Sequence, residues 1–121
     1  MKVTGINPTL QVYDLKKASD FYTSLGFNLD WIWPDDNPTH GSVSSGEFSF
    51  MFTKIEDATK PQIGDLYFRV ENVEKLHASL KSKNIEVSEL TKTAYGMLDF
   101  SVTDPNGHHL VFGEPSGEYT G

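Results

Sequence analysis

The chain contains no cysteine in 121 residues. Disulfides, thiolate nucleophiles and cysteine-ligated metals are thereby excluded, although the absence alone does not identify a compartment. No apolar run approaches the roughly 20 residues of a membrane helix, and no basic-then-apolar leader opens the sequence. A soluble, cytoplasmic protein with no membrane partner is expected. Basic residues are also scarce: 10 Lys and Arg stand against 17 Asp and Glu, a net charge of −7. A phosphate backbone needs a basic face, so no nucleic acid is expected as a partner. The same imbalance favours a cationic small ligand over an anionic one, and serves solubility equally well.

What is present is enough for one domain over residues 1–121, burying roughly 65% of its unfolded surface. Its most telling stretch runs from Val102 to Phe112. Asp104 can accept from the turn backbone, Pro105 has its φ fixed, and Asn106 and Gly107 tolerate the angles that close a corner between two strands. Upstream, Val3 to Tyr13 reads as a strand made irregular by Pro8. Asp14 is placed to cap a helix with Leu15, Ala18, Phe21, Tyr22 and Leu25 as its apolar stripe, and Gly26 to stop it. Phe27 to Trp33 and His40 to Ser44 read as further strands. From Glu47 to Thr53, Phe48, Phe50 and Phe52 alternate with Ser49, Met51 and Thr53.

The polar connection Ile55 to Pro61 separates this first module, about 1–55, from a second, about 62–115. There Ile63 to Val70 is a strand, Asn72 caps a helix with Val73, Leu76 and Leu80 inward, and Asn84 ends it. Ile85 to Val87 begins the next strand, and the Glu114 to Gly121 tail is expected to be disordered. A shift of 58 residues lays Asp14 on Asn72 and Gly26 on Asn84. Cap and stop matching at one offset argue for two copies of one βαβββ unit.

Such paired units, with Pro8 to Asp14, Asp20 to Phe27, Tyr67 to Val70 and the closing Asp104-Pro105-Asn106-Gly107, resemble the vicinal oxygen chelate superfamily of glyoxalases, dioxygenases and bleomycin-resistance proteins. The resemblance covers Asn7 to Pro115. It implies an α+β fold, two βαβββ modules forming a curled mixed β-sheet cleft with helices outside. Alternation then assigns Phe48, Phe50, Phe52, Leu66, Phe68, Val70, Leu110 and Phe112 to the core. Asn7, Thr9, Ser49, Met51, Asp65, Tyr67, Arg69, His109 and Val111 face the cleft.

Metal-dependent members bring His, Glu or Gln from both modules onto one divalent ion. The positions that match the pattern are Asn7, Met51, Asp65 and Val111. A thioether and an isopropyl group do not ligate a hard or borderline cation, so no metal, no cofactor and no catalytic residue is expected. His108 and His109 point to opposite strand faces, His77 is read as solvated, and His109 as lacking a carboxylate partner. Arg69 is read as partly neutralising Asp65.

A member without the metal ligands looks most like the bleomycin-resistance proteins, homodimers that sequester a cationic drug. The expected activity is small-molecule binding without catalysis. The expected ligand-binding residues are Trp33, Asp65, Tyr67, Arg69, Met97, His109, Met51 and Asn7, with Tyr95 as further lining. Alternation from Phe27 and Leu29 places Trp31 in the core. A glyoxalase-like lyase or isomerase or a dioxygenase-related enzyme with an atypical or absent metal site, and a non-catalytic sensor of another metabolite, are the competing readings.

Overall fold

Asp14 begins the first helix because its carboxylate accepts from the Lys17 amide at 2.8 Å while its own backbone stays extended. Gly26, at φ +118°, ends it in the left-handed conformation. In the computed structural model, which describes residues 1–56 and 59–117, the backbone divides into two compact units, Met1–Ile63 and Gly64–Gly121. The first contains β1 (Thr9–Val12), α1 (Leu15–Leu25), β2 (Asn28–Trp33), β3 (His40–Ser45) and β4 (Phe48–Lys54). Its sheet has the order β1-β4-β3-β2, with β1 parallel to β4 and the other pairs antiparallel.

Helix α1 covers one face of that sheet. Tyr22 is fully buried, with its ring centroid 5.0 Å from Phe52 and 5.3 Å from Phe50. Phe48 does not join them. It pairs with Ser45 beside the Gly46 turn, where the aromatic cluster no longer covers the sheet, and is 74% exposed. The expected core position is a surface one.

The second unit repeats the plan with β5 (Asp65–Arg69), α2 (Val73–Ser82), β6 (Thr91–Lys92), β7 (Met97–Thr103) and β8 (His109–Pro115), in the order β5-β8-β7-β6. Phe100 and Phe112 are buried, and Phe112 stacks on the half-buried Phe68 at 5.0 Å. Each unit is therefore one βαβββ module, as the repeat implied. The boundary at Ile55 to Pro61 falls partly on residues 57–58, outside the described residues. The tail expected to be disordered from Glu114 instead begins in order, because Glu114 and Pro115 pair with Leu98 and Met97 as the end of β8; residues 118–121 lie outside the described ones.

Three expectations fail here for local reasons. Asn72 sits at φ +56° and makes no side-chain cap; instead Glu114, on β8, accepts from the Asn72 and Val73 amides at 3.1 and 2.9 Å. A carboxylate at that end also meets the positive pole of α2. Ile85 to Val87 forms no strand. The Ser88 amide donates to the Ser101 carbonyl at 3.0 Å, but the Ser88 hydroxyl takes a ladder carbonyl's place in accepting from the Ser101 amide at 2.8 Å, and regular strand pairing begins only in the two-residue β6. His77 is not simply solvated: its ring meets Phe100 edge-on at 4.9 Å and Nε2 lies 2.8 Å from the Ser88 carbonyl.

The turn between β7 and β8 behaves as its residues require. Asp104 is 3% exposed and its Oδ1 accepts from the Asn106 and His108 amides at 2.8 and 2.9 Å, while Gly107 takes φ +94°. His108 is wholly buried, its Nδ1 accepting from the Gly64 amide at 2.8 Å. His109 consequently points to the other face.

Candidate functional site

The two sheets each have a face turned away from their helix, and the candidate side chains stand there. In the first unit this open face is set by an irregularity in β2. Leu29 pairs with Val43, but Trp31 pairs with Ser42, so Asp30 is an inserted residue. A bulge of this kind reverses the alternation beyond it. Trp31 and Trp33 therefore both lie opposite the helix, 44% and 62% exposed, and Trp31 is not the core residue its spacing from Leu29 implied. Asp30 is held on the same face by the hydroxyls of Ser42 and Ser44, which donate to its two oxygens at 3.1 and 2.7 Å. His40 pairs with Trp33 across the ladder, their rings 6.0 Å apart. Trp31, Ile32, Trp33 and His40 line an open hollow of about 550 Å³. Met51 stands one strand further on, opposite Ser42, and Asn7 donates to Ser49 Oγ at 2.8 Å.

The open face of the second unit carries the other expected residues in rows across its strands. Asp65, His109 and Thr103 form one row; Tyr67, Val111 and Ser101 the next; Arg69, Gly113 and Asp99 a third. Met97 stands two residues before Asp99 on β7, opposite Pro115. Within the first row, His109 Nδ1 lies 3.0 Å from Asp65 Oδ1. His109 thus has the carboxylate partner the sequence did not reveal, and Asp65 is engaged by it rather than by Arg69. Their contact depends on parallel pairing of β5 and β8, which brings residues 44 apart side by side.

Between the second and third rows a small polar cluster forms. Tyr67 Oη donates to Asp99 Oδ2 at 3.0 Å, and Tyr95 Oη to the same oxygen at 3.2 Å. The ring of Tyr67 can cross β8 only because position 113 is glycine. A Cβ there would stand inside the van der Waals envelope of Tyr67 Oη and 2.9 Å from Asp99 Cβ. Desolvation of its hydroxyl and then the Asp99 carboxylate push the Tyr67 phenol above the ordinary tyrosine value. Asp99 and Gly113 escaped the sequence reading, yet both left a signal. Asp99 alternates with the apolar Leu98 and Phe100, and a glycine inside a strand marks close approach.

The donor set does not fit a divalent ion. Met51 and Val111 offer a thioether and a hydrocarbon, the Asn7 amide nitrogen is bonded to Ser49, and Asp65 is paired with His109. Among the described residues no group of three or more His, Asp or Glu side chains could hold a metal. Among them too, no helix is long and apolar enough to cross a membrane.

The model of the glyoxalase/bleomycin resistance protein/dioxygenase superfamily matches residues 5–112. No curated protein matches the sequence. Among solved structures, a glyoxalase-related enzyme from Clostridium phytofermentans is similar at a TM-score of 0.79 and 22% identity, over 95% of this chain and 97% of that one. A bleomycin-binding protein complexed with bleomycin gives 0.73 and 16%, over 93% and 98%. Lactoylglutathione lyase from Agrobacterium tumefaciens gives 0.75 and 18%, over 94% and 96%. At these identities the likeness is one of fold.

Proposed function

Since this chain belongs to the glyoxalase/bleomycin resistance protein/dioxygenase superfamily, we propose that it is a metal-independent small-molecule binding protein that sequesters its ligand without transforming it. The observation that carries this reading is the pair Trp31 and Trp33, exposed together on one open sheet face beside His40 and Asp30. Large apolar rings left in water at a hollow are the surface on which a flat ligand stacks, and a carboxylate beside them attracts a positive charge. Binding alone lowers free ligand by mass action. Trp33 is the principal contact in this reading, with Met51 and Asn7 on the same face; Asp65, Tyr67, Arg69, Met97 and His109 are the contacts on the second unit. The bleomycin-binding neighbour supports a ligand of the bleomycin kind. A cytoplasmic homodimer belongs to the same proposal, its assembly measurable by sedimentation.

Titrating chelator-dialysed protein with metal-free bleomycin while following tryptophan emission tests the proposal. Saturable quenching is expected at micromolar or tighter affinity, and Trp33→Ala should weaken it by roughly tenfold or more, the loss typical of a buried aromatic anchor. A flat titration sinks the bleomycin reading.

The Asp65–His109 contact favours a second reading, a glyoxalase-like lyase or isomerase. A carboxylate that orients imidazole through Nδ1 leaves Nε2 as the general base. With the hemithioacetal of methylglyoxal and glutathione as substrate, this reading expects turnover that falls roughly 100-fold in His109→Gln. Turnover unaltered by that substitution, or absent from the unsubstituted protein, removes it.

A further inference from the structure

The third row of the second unit's open face sets two opposite charges on either side of a glycine. Arg69 on β5, Gly113 on β8 and Asp99 on β7 are successive partners across the sheet. Two strand spacings separate Arg69 from Asp99, about 10 Å between Cα atoms. Neither has an ionic partner among the described residues. Arg69 makes no ion pair among the described residues, and both phenols that reach Asp99 bond to Oδ2, leaving Oδ1 without a donor among them. The floor between the charges is the Tyr67 ring, laid over Gly113 and anchored at its hydroxyl.

We propose that this row binds a zwitterionic amino-carboxylate with a flat side chain, an aromatic α-amino acid in chemical class, its carboxylate on Arg69, its ammonium on Asp99 Oδ1 and its ring on Tyr67. Guanidinium presents paired donors to a carboxylate. A carboxylate whose other oxygen already accepts two hydrogen bonds is oriented before the ligand arrives, so its remaining oxygen accepts an ammonium with little reorganisation. Arg69 is exposed and carries its guanidinium on a long flexible stem, so it can close on the carboxylate of a compact amino-carboxylate whose ammonium rests on Asp99. Tyr67 supplies the stacking surface between them. The proposal rests on Tyr67 and Arg69 being ligand-facing, as in the functional reading above, and adds the charge pattern of what they face.

The test uses the full chain labelled with ¹⁵N and L-phenylalanine as probe. Saturable shifts of the Arg69, Asp99 and Gly113 amides are expected. Phenethylamine and 3-phenylpropanoate, each lacking one charge, should bind roughly tenfold or more weakly, as should L-phenylalanine to Asp99→Asn and to Arg69→Gln. Asparagine can still accept from the two phenols, so its effect reports the charge rather than collapse of the cluster. Phenethylamine binding as tightly as phenylalanine overturns the proposal, as does unaltered affinity in either variant or the absence of saturable shifts through about 10 mM. The bleomycin titration of the unsubstituted protein is read separately. Its quenching retained while phenylalanine fails overturns this site alone; both failing overturns the binding reading as well.

Discussion

Replacing Phe52 by alanine should lower the free energy of unfolding by about 3–5 kcal/mol, while Phe48→Ala should change it by less than about 0.5 kcal/mol. Both phenylalanines lie on β4, four residues apart and on the same side by alternation. Phe52 is wholly buried between Tyr22 and Phe50, at 5.0 and 5.7 Å between ring centroids. Its removal leaves a cavity that neighbours in close-packed contact fill only in part. Phe48 is mostly in water already and leaves no cavity. Urea unfolding of the two variants measures the contrast directly. Equal losses would place Phe48 in the core after all and contradict the exposed hairpin end.

Asp104→Ala should cost about 3 kcal/mol, measured in the same way. The Asp104 carboxylate is buried, and its Oδ1 alone accepts from two backbone amides of the turn. Alanine leaves the His108 amide enclosed without that acceptor, and a buried donor without a partner loses the full desolvation energy of the group. Asp104→Asn keeps one carbonyl oxygen for the amides and should lose only about half as much. A loss below about 1 kcal/mol in Asp104→Ala would mean that the turn closes without its carboxylate. The turn matters beyond its own stability, because it sets where β8 begins and so delivers His109 beside Asp65.

What the sequence made legible was local. Asp14 as cap and Gly26 as stop need only neighbours within one turn of helix, and the hairpin needs only its four residues. The same holds for the repeat, which compares local signals with each other. The site was half legible, for a different reason. Asp65, Tyr67, Arg69 and His109 followed from alternation within single strands, and they do share an open face. Their partners depend on which strand lies next and in what register. Neither the His109–Asp65 contact nor Tyr67 reaching Asp99 across Gly113 can be read from one strand alone. Glu114 likewise caps a helix that starts 41 residues earlier in the chain. Phe48 shows the converse limit. Alternation gives the face of a side chain but not whether anything covers it.

The inserted Asp30 has a genetic consequence. Side chains in a strand are sorted by odd and even position, so one in-frame codon gained or lost at residue 30 changes the parity of the rest of β2, through Trp33. The codons for both tryptophans can stay untouched while the indoles exchange solvent for protein interior. In a library of variants, indels at this place should therefore alter what the surface presents more sharply than most substitutions of the tryptophans' neighbours.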